Sequence, residues 1–277
     1  MPLVLVGTPI GNLGDLAPRA VEALRAADAI CCEDTRRTGR LLQRAGVDRK
    51  PLIVVNDHTE GGATAGVLAR LDAGERVAVV TDAGMPGISD PGEALVQAAV
   101  AGGHAVEVVP GPSAAVTALV ASGLPTGRFT FEGFLPRKGS GRGERLAELA
   151  GERRTAVLYE APHRLARTVV DLADACGSDR RVAIGRELTK LHEEMWRGTL
   201  AEAVDWATSR EPRGELVLVL EGAPAPTRAT DLEVEAAVQA RLDGGDSTRD
   251  AATFVAGALG VPKRAAYAVA TRLRASR

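Results

Sequence analysis

Residues Val77 to Gly92 read VAVVTDAGMPGISDPG. The β-branched run Val77-Ala78-Val79-Val80 has the pattern of a buried strand. It breaks into a loop holding Asp82, three glycines (Gly84, Gly87, Gly92) and two prolines (Pro86, Pro91). In an α/β chain such a loop lies at the carboxyl edge of a parallel sheet, where open α/β folds bind ligands. Glycine lets the backbone approach a ligand closely and proline stiffens the loop. The plainer reading is a tight strand-to-helix connection with Ser89 or Asp90 as helix N-cap.

Two further loops of this kind lie in the same half. Leu3-Val4-Leu5-Val6 is a strand that runs into Gly7-Thr8-Pro9-Ile10-Gly11-Asn12-Leu13-Gly14, followed by a helix from Pro18. This loop lacks the lysine of a P-loop and the spacing of a dinucleotide fingerprint, and Pro9 removes a backbone donor. It suits a ligand other than a nucleotide phosphate. Val106-Glu107-Val108-Val109 ends in Pro110-Gly111-Pro112-Ser113-Ala114-Ala115, where Ser113 is a helix N-cap or one edge of a polar site. Between them, Ala29-Ile30-Cys31-Cys32 ends in Glu33-Asp34-Thr35-Arg36-Arg37-Thr38. That segment is either a polar site or a solvated helix start, capped by Asp34 or Thr35, with the arginines through Arg44 on the wet face. His58, after the strand Leu52–Val55, is a candidate base or a solvated loop residue.

Composition bounds the class. With 277 residues, 45% hydrophobic and 25% charged, the chain is an ordinary globular protein of one to three domains. A net charge of −2 draws it to no polyanion globally, so any nucleic-acid contact is local. Three cysteines give neither a disulfide framework nor a zinc spacing, and no metal site is expected. Aromatic content of 3% argues against a base-stacking platform. There is no secretory pattern and no apolar run of membrane-spanning length, so the expected location is the cytoplasm.

The second half reads as another α/β unit, with strands at Phe129–Leu135, Thr155–Tyr159, Arg181–Gly185 and Glu215–Leu220. Pro136 to Arg145 reads as a flexible cationic loop, with Arg137, Lys138, Arg142 and Arg145 against Glu144 alone. A proline-spaced linker at Ala223–Thr227 leads to three helices, with Ser247 capping the second and Pro262 opening the third. They resemble a helix-turn-helix module. Lys263 to Arg277 carries five bases and no acid, which suits RNA contact or a solvated face.

These segments carry a resemblance over Pro2 to Gly222. The loops GTPIGN, TDAGMPG and PGPSAA, with CEDTRRTGRLL, FEGFLPRKG, YEAPHR, RELTKLHEE and RGELVLVLEG, resemble the tetrapyrrole (class III) methyltransferases. The EDTRRT and FLPRK segments are similar to those of its ribosomal-RNA-methylating branch. The resemblance implies an α/β fold in which two domains, 1–112 and 113–224, hold S-adenosyl-L-methionine in the cleft between them. The helical module is residues 228–277. It implies methylation of a cytidine 2′-hydroxyl in 16S rRNA of the small ribosomal subunit, within the decoding region, by a homodimer. A small-molecule, tetrapyrrole-type methyltransferase is the alternative.

By the same resemblance, Ile10, Asp82, Gly84, Met85, Ser113, Ala114, Tyr159, Glu160 and Leu188 contact the cofactor. Glu33, Asp34 and Arg36 are expected in the acceptor pocket, and Arg137, Lys138, Lys263 and Arg264 on RNA. The general base remains open among Glu33, Asp34, Glu132 and Glu187, or a lysine (Lys138, Lys190) whose charge is depressed by burial.

Overall fold

The short apolar runs of the first half form one sheet and those of the second half another. The computed structural model describes residues 2–56, 59–210, 212–225 and 229–275, so His58 lies outside the described residues. The chain divides into two units, Met1–Ala223 and Pro224–Arg277.

In the first unit, β1 (Leu3–Val6), β2 (Ala29–Cys32), β3 (Leu52–Val54), β4 (Val77–Val79) and β5 (Val106–Val109) pair in the order β3-β2-β4-β1-β5, all parallel. Helices α1 (Pro18–Ala26) and α2 (Thr35–Arg44) cover one face, packing Leu24 and Leu42 on Val4, Val6 and Ile30. Helices α3 (Glu60–Asp72) and α4 (Glu93–Ala101) cover the other, packing Leu71 and Leu95 on Leu3 and Val77. Cover on both faces is why these strands read as continuous apolar runs. The strand order sets β4, β1 and β5 side by side, so the three glycine–proline loops leave the sheet as neighbours.

The second sheet is mixed. β6 (Phe129–Phe134), β7 (Thr155–Glu160), β8 (Arg181–Arg186), β9 (Glu194–Thr199) and β10 (Leu216–Leu220) take the order β6-β7-β10-β8-β9. β10 runs antiparallel to both its neighbours, so Leu216 at its start pairs with Glu160 and Arg186 at their ends. Helix α5 (Ala114–Ala121) follows β5 in sequence but packs on this second sheet. Its Ala115, Ala118 and Leu119 join Val157, Val217 and Val219 in a core that also takes in Ile10 and Leu188. The opposite face is covered by α6 (Ser140–Gly151), α7 (Pro162–Cys176) and α8 (Leu200–Arg210) through Leu149, Leu165, Val169 and Trp206.

Two local expectations are corrected. Neither Ser89 nor Asp90 caps α4: the cap is Gly92, at φ 125°. Pro91 steers Asp90 away from helical geometry, and Ser89 itself sits at φ 57°. The stretch PRKGSGRG is not loop throughout, because α6 begins at Ser140. The Arg142 side chain is buried and donates to Asp171 Oδ2 (2.7 Å), Pro136 O (3.0 Å) and Thr168 Oγ1 (3.0 Å). These bonds outweigh the helix penalty of Gly141 and Gly143, about 1 kcal/mol each.

The second unit is three helices, α9 (Asp231–Asp243), α10 (Thr248–Leu259) and α11 (Lys263–Ala275). Thr230 and Glu233 form a capping box, Ser247 caps α10, and Gly260 ends it at φ 62°. Val238, Ala251, Val255, Ala266 and Ala270 make its core.

Candidate active site: two adjoining cavities at the carboxyl edge

The three loops are joined by backbone contacts. Thr8 N–H donates to Gly84 O (2.9 Å) and Gly84 N–H to Thr8 O (3.2 Å), while Thr8 Oγ1 donates to Thr81 O (3.2 Å). Gly7 and Gly111 meet so closely that a Cβ on Gly7 would lie 2.6 Å from Gly111 Cα. Ser113 caps α5, accepting from Val116 N–H.

Above these loops lies a cavity of about 380 Å³. Ile10, Asp82, Gly84, Met85, Ser113 and Ala114 line it from the first half, and Tyr159, Glu160, Leu216 and Val217 from the second. Eight of the nine residues expected on the cofactor are therefore brought together. The ninth, Leu188, is not in the lining; it is buried in the core with Ile10 and Tyr159. Phe131 meets the Tyr159 ring edge-on at 5.0 Å. Burial raises the Tyr159 phenol above its usual range. Glu160 is fully engaged: it pairs with Arg164 (3.0 Å) and accepts from Ala161 N–H (2.8 Å) and Thr168 Oγ1 (2.5 Å).

A second cavity, of about 470 Å³, adjoins the first. Ile10, Arg37, Asp82, Ala83 and Glu215 line both. Its own walls are Arg40, Leu41 and Arg44 of α2 on one side and Lys190 on another. At the shared wall, Arg37 Nη1 stands 3.1 Å from Asp82 Oδ2, and Asp82 N–H donates to Glu33 Oε1 (2.9 Å). Asp82 Oδ1 is buried with no hydrogen-bond partner among the described residues. Burial pushes the Asp82 carboxyl above its usual value, with Arg37 pulling the other way.

The expected acceptor trio separates. Glu33 lines the first cavity. Asp34 is the N-cap of α2, accepting from Arg36 N–H (2.7 Å) and Arg37 N–H, and those backbone bonds hold its carboxyl low. Arg36 points outward, its side chain 85% exposed and 3.6 Å from Asp34. The helix turns about 100° per residue, which places Arg37, not Arg36, on the face shared with Arg40, Leu41 and Arg44.

The base candidates sort by environment. Glu132 is paired with Arg145 at 2.7 Å. Glu187 accepts from Lys190 Nζ (2.8 Å) and Glu215 N–H (2.9 Å), and the lysine bond above all holds its carboxyl low. Burial alone would lower Lys190, but its bonds to Glu187 and Glu215 outweigh that and hold it above its usual value. Lys190 therefore stays protonated, and the condition under which it could serve as a base is not met.

Of the basic segment, Arg142 and Arg145 are consumed by ion pairs. Arg137 lines a separate cavity of about 240 Å³ with Arg142, His163, Arg164 and Arg167, and Lys138 is exposed. Lys263 and Arg264 are exposed on the first turn of α11 in the second unit. Among the described residues no three His, Cys, Asp or Glu side chains gather as a metal site, and no helix is long and apolar enough to cross a membrane.

A mixed α/β unit with its cavity built on glycine–proline loops defines a class, and the chain belongs to it: residues 2–204 match the family of Tetrapyrrole (Corrin/Porphyrin) Methylases. A Synechocystis protein named ribosomal RNA small subunit methyltransferase I is 45% identical over 275 residues, 99% of this chain and 98% of its own length. A Thermotoga maritima protein of the same name is 46% identical over 220 residues, 79% of this chain and 98% of its own. The fold is shared with uroporphyrin-III C-methyltransferase from Thermus thermophilus, solved in complex with S-adenyl homocysteine. That structure is 20% identical, with a TM-score of 0.56 over 80% of this chain and 97% of its own.

Proposed function

We propose that this protein transfers a methyl group from S-adenosyl-L-methionine to the 2′-hydroxyl of a cytidine in 16S rRNA, within the decoding region of the small ribosomal subunit. The observation that carries this reading is the pair of adjoining cavities, one mostly apolar and built on the stitched loops, the other walled by arginines. The names of the relatives at 45% and 46% identity support an RNA acceptor. About a fifth of this chain has no counterpart in the Thermotoga protein, a share matching the C-terminal unit in size. RNA recognition then rests in large part on the first unit.

The residues present fit the cofactor. Its volume falls in the range of small-molecule sites, and the buried, unpartnered Asp82 Oδ1 would accept from a ligand N–H or O–H. Ile10, Met85 and Tyr159 would cover its apolar parts, and Ser113 and Ala114 its other edge. The bound cofactor supplies an activated methyl on a cationic sulfonium. The chain contributes position: the stitched loops fix one partner while the second cavity receives the other, and such alignment supplies up to about 7–11 kcal/mol. Asp82, on the wall that both cavities share, would take the proton a ribose hydroxyl loses. Arg137 and Lys138 would hold phosphates further along the strand, and Lys263 and Arg264 would add contacts from the second unit. The protein acts in the cytoplasm as a homodimer on this reading.

The test is methyl transfer from labelled S-adenosyl-L-methionine to small subunits lacking the modification, with ribose-level mapping. One labelled cytidine 2′-oxygen is expected. Cofactor binding with no transfer to RNA would overturn the reading and favour a small-molecule acceptor.

A further inference from the structure

The second cavity has more positive charge than its own carboxylates neutralise. Arg37 is taken by Asp82, and Lys190 by Glu187 and Glu215. Arg40 and Arg44 have no carboxylate within 4.0 Å among the described residues, although both line the cavity. Leu42 is buried against the first sheet, and the side of α2 turned to the cavity presents Arg37, Arg40, Leu41 and Arg44 at the i, i+3, i+4, i+7 spacing, with the buried Thr38 at the cavity's inner edge. That is a row about 10 Å long at 1.5 Å per residue.

We infer that Arg40 and Arg44 seat the phosphodiester groups of the acceptor strand, so that the strand runs along α2 and delivers its nucleotide to the wall at Asp82. This rests on the RNA-methylation reading above. Guanidinium groups match phosphate oxygens two at a time and stay charged at any working pH. The row begins at Arg37, beside Asp82 and the first cavity, and leads away from it. A strand held at Arg40 and Arg44 thus has its neighbouring nucleotide at the shared wall. Leu41, between the arginines, and Ile10 with Ala83 on the floor give a sugar or base an apolar surface.

The test uses the full-length protein, with R40E/R44E as the variant and R49E as a charge control on an exposed residue outside both cavities. Binding of a single-stranded RNA oligonucleotide is measured against salt, cofactor affinity by calorimetry, and KM and kcat on unmodified small subunits. Loss of two phosphate contacts lowers the slope of log K against log salt by about 1.4. With it, KM for subunits rises about tenfold or more, cofactor affinity holds, and R49E behaves as wild type. R40K/R44K restores much of the slope. An unchanged slope, an equal loss in R49E, or loss of cofactor binding in R40E/R44E would overturn the assignment. So would binding of a carboxylated porphyrin that needs the same two arginines. A wild type that binds cofactor but methylates no RNA fails the functional reading itself, a result separate from these.

Discussion

Gly7 and Gly111 bring two of the loops that line the candidate cofactor cavity together backbone to backbone. A Cβ on Gly111 would lie 2.7 Å from Gly7 Cα, and one on Gly7 would also meet Met85 Sδ at 2.7 Å. Both atoms belong to loops that line the site, so an added methyl at either position forces β1 and β5 loops apart. Gly7→Ala or Gly111→Ala should cost about 1–3 kcal/mol by overpacking and lower cofactor affinity further. Gly61→Ala in α3, where nothing lies within 4 Å, should be neutral or stabilising. Urea titration and calorimetry check both.

Asp82 carries a stability cost that rises with pH. Its carboxyl pKa is raised above 3.8 by burial, so the folded chain binds that proton more tightly than the unfolded one. Stability contributed at this site therefore falls as pH rises through the window just above 3.8. Asp82→Asn should gain on wild type between acid and neutral pH while losing cofactor affinity. A denaturation midpoint difference that stays flat across that window would contradict it.

The Glu187–Lys190 pair works with the opposite sign. Its carboxyl is held below 4.5, so its contribution is full above 4.5 and lost as pH falls through the lowered value. The pair closes a turn in which Glu187 and Thr189 sit at φ 51° and 65°, both unfavourable for side chains. Lys190→Met should loosen this turn, raising proteolysis between β8 and β9 and flattening the acid limb of the stability profile.

Arg180 is buried and donates to four carbonyls, Glu221 (2.9 Å), Glu152 (3.0 Å), Ala150 (3.1 Å) and Leu149 (3.4 Å). It ties the end of α6 to the end of β10. Arg180→Met leaves those acceptors unpaired and should cost about 3 kcal/mol, read as a lower melting temperature with unchanged cofactor stoichiometry.

Charge reversal at Arg137 and Lys138 should weaken RNA binding and leave cofactor affinity intact. Both residues lie outside the two cavities of the candidate site. Equal loss of both affinities would count against their role on phosphate.

The sequence disclosed the frame of the site more readily than its side-chain roles. β-branched runs ending in glycine and proline mark β1, β4 and β5 because parallel strands covered on both faces are apolar throughout. The caps Ser113 and Ser247 are local, so they too are readable. Arg36 and Arg37 are adjacent in the same motif, and only the phase of α2 separates the exposed one from the one on Asp82. Arg142 reads as a loop cation because its partner Asp171 is 29 residues away. The strand β9, with sequence EMWRGT, has neither alternation nor a β-branched run. It exists because β8 offers it a full ladder of pairing partners.

The antiparallel course of β10 also dictates when during synthesis the cavity comes into being. The first sheet has all its strands once Val109 has been made, yet the lining is incomplete until Leu216 and Val217 follow. At about 5–20 residues per second that interval is roughly 5–20 s. A nascent chain therefore exposes the three loops on a finished sheet well before it can hold a ligand between two walls. Capture of cofactor by ribosome-bound chains would mark the moment the second half has folded.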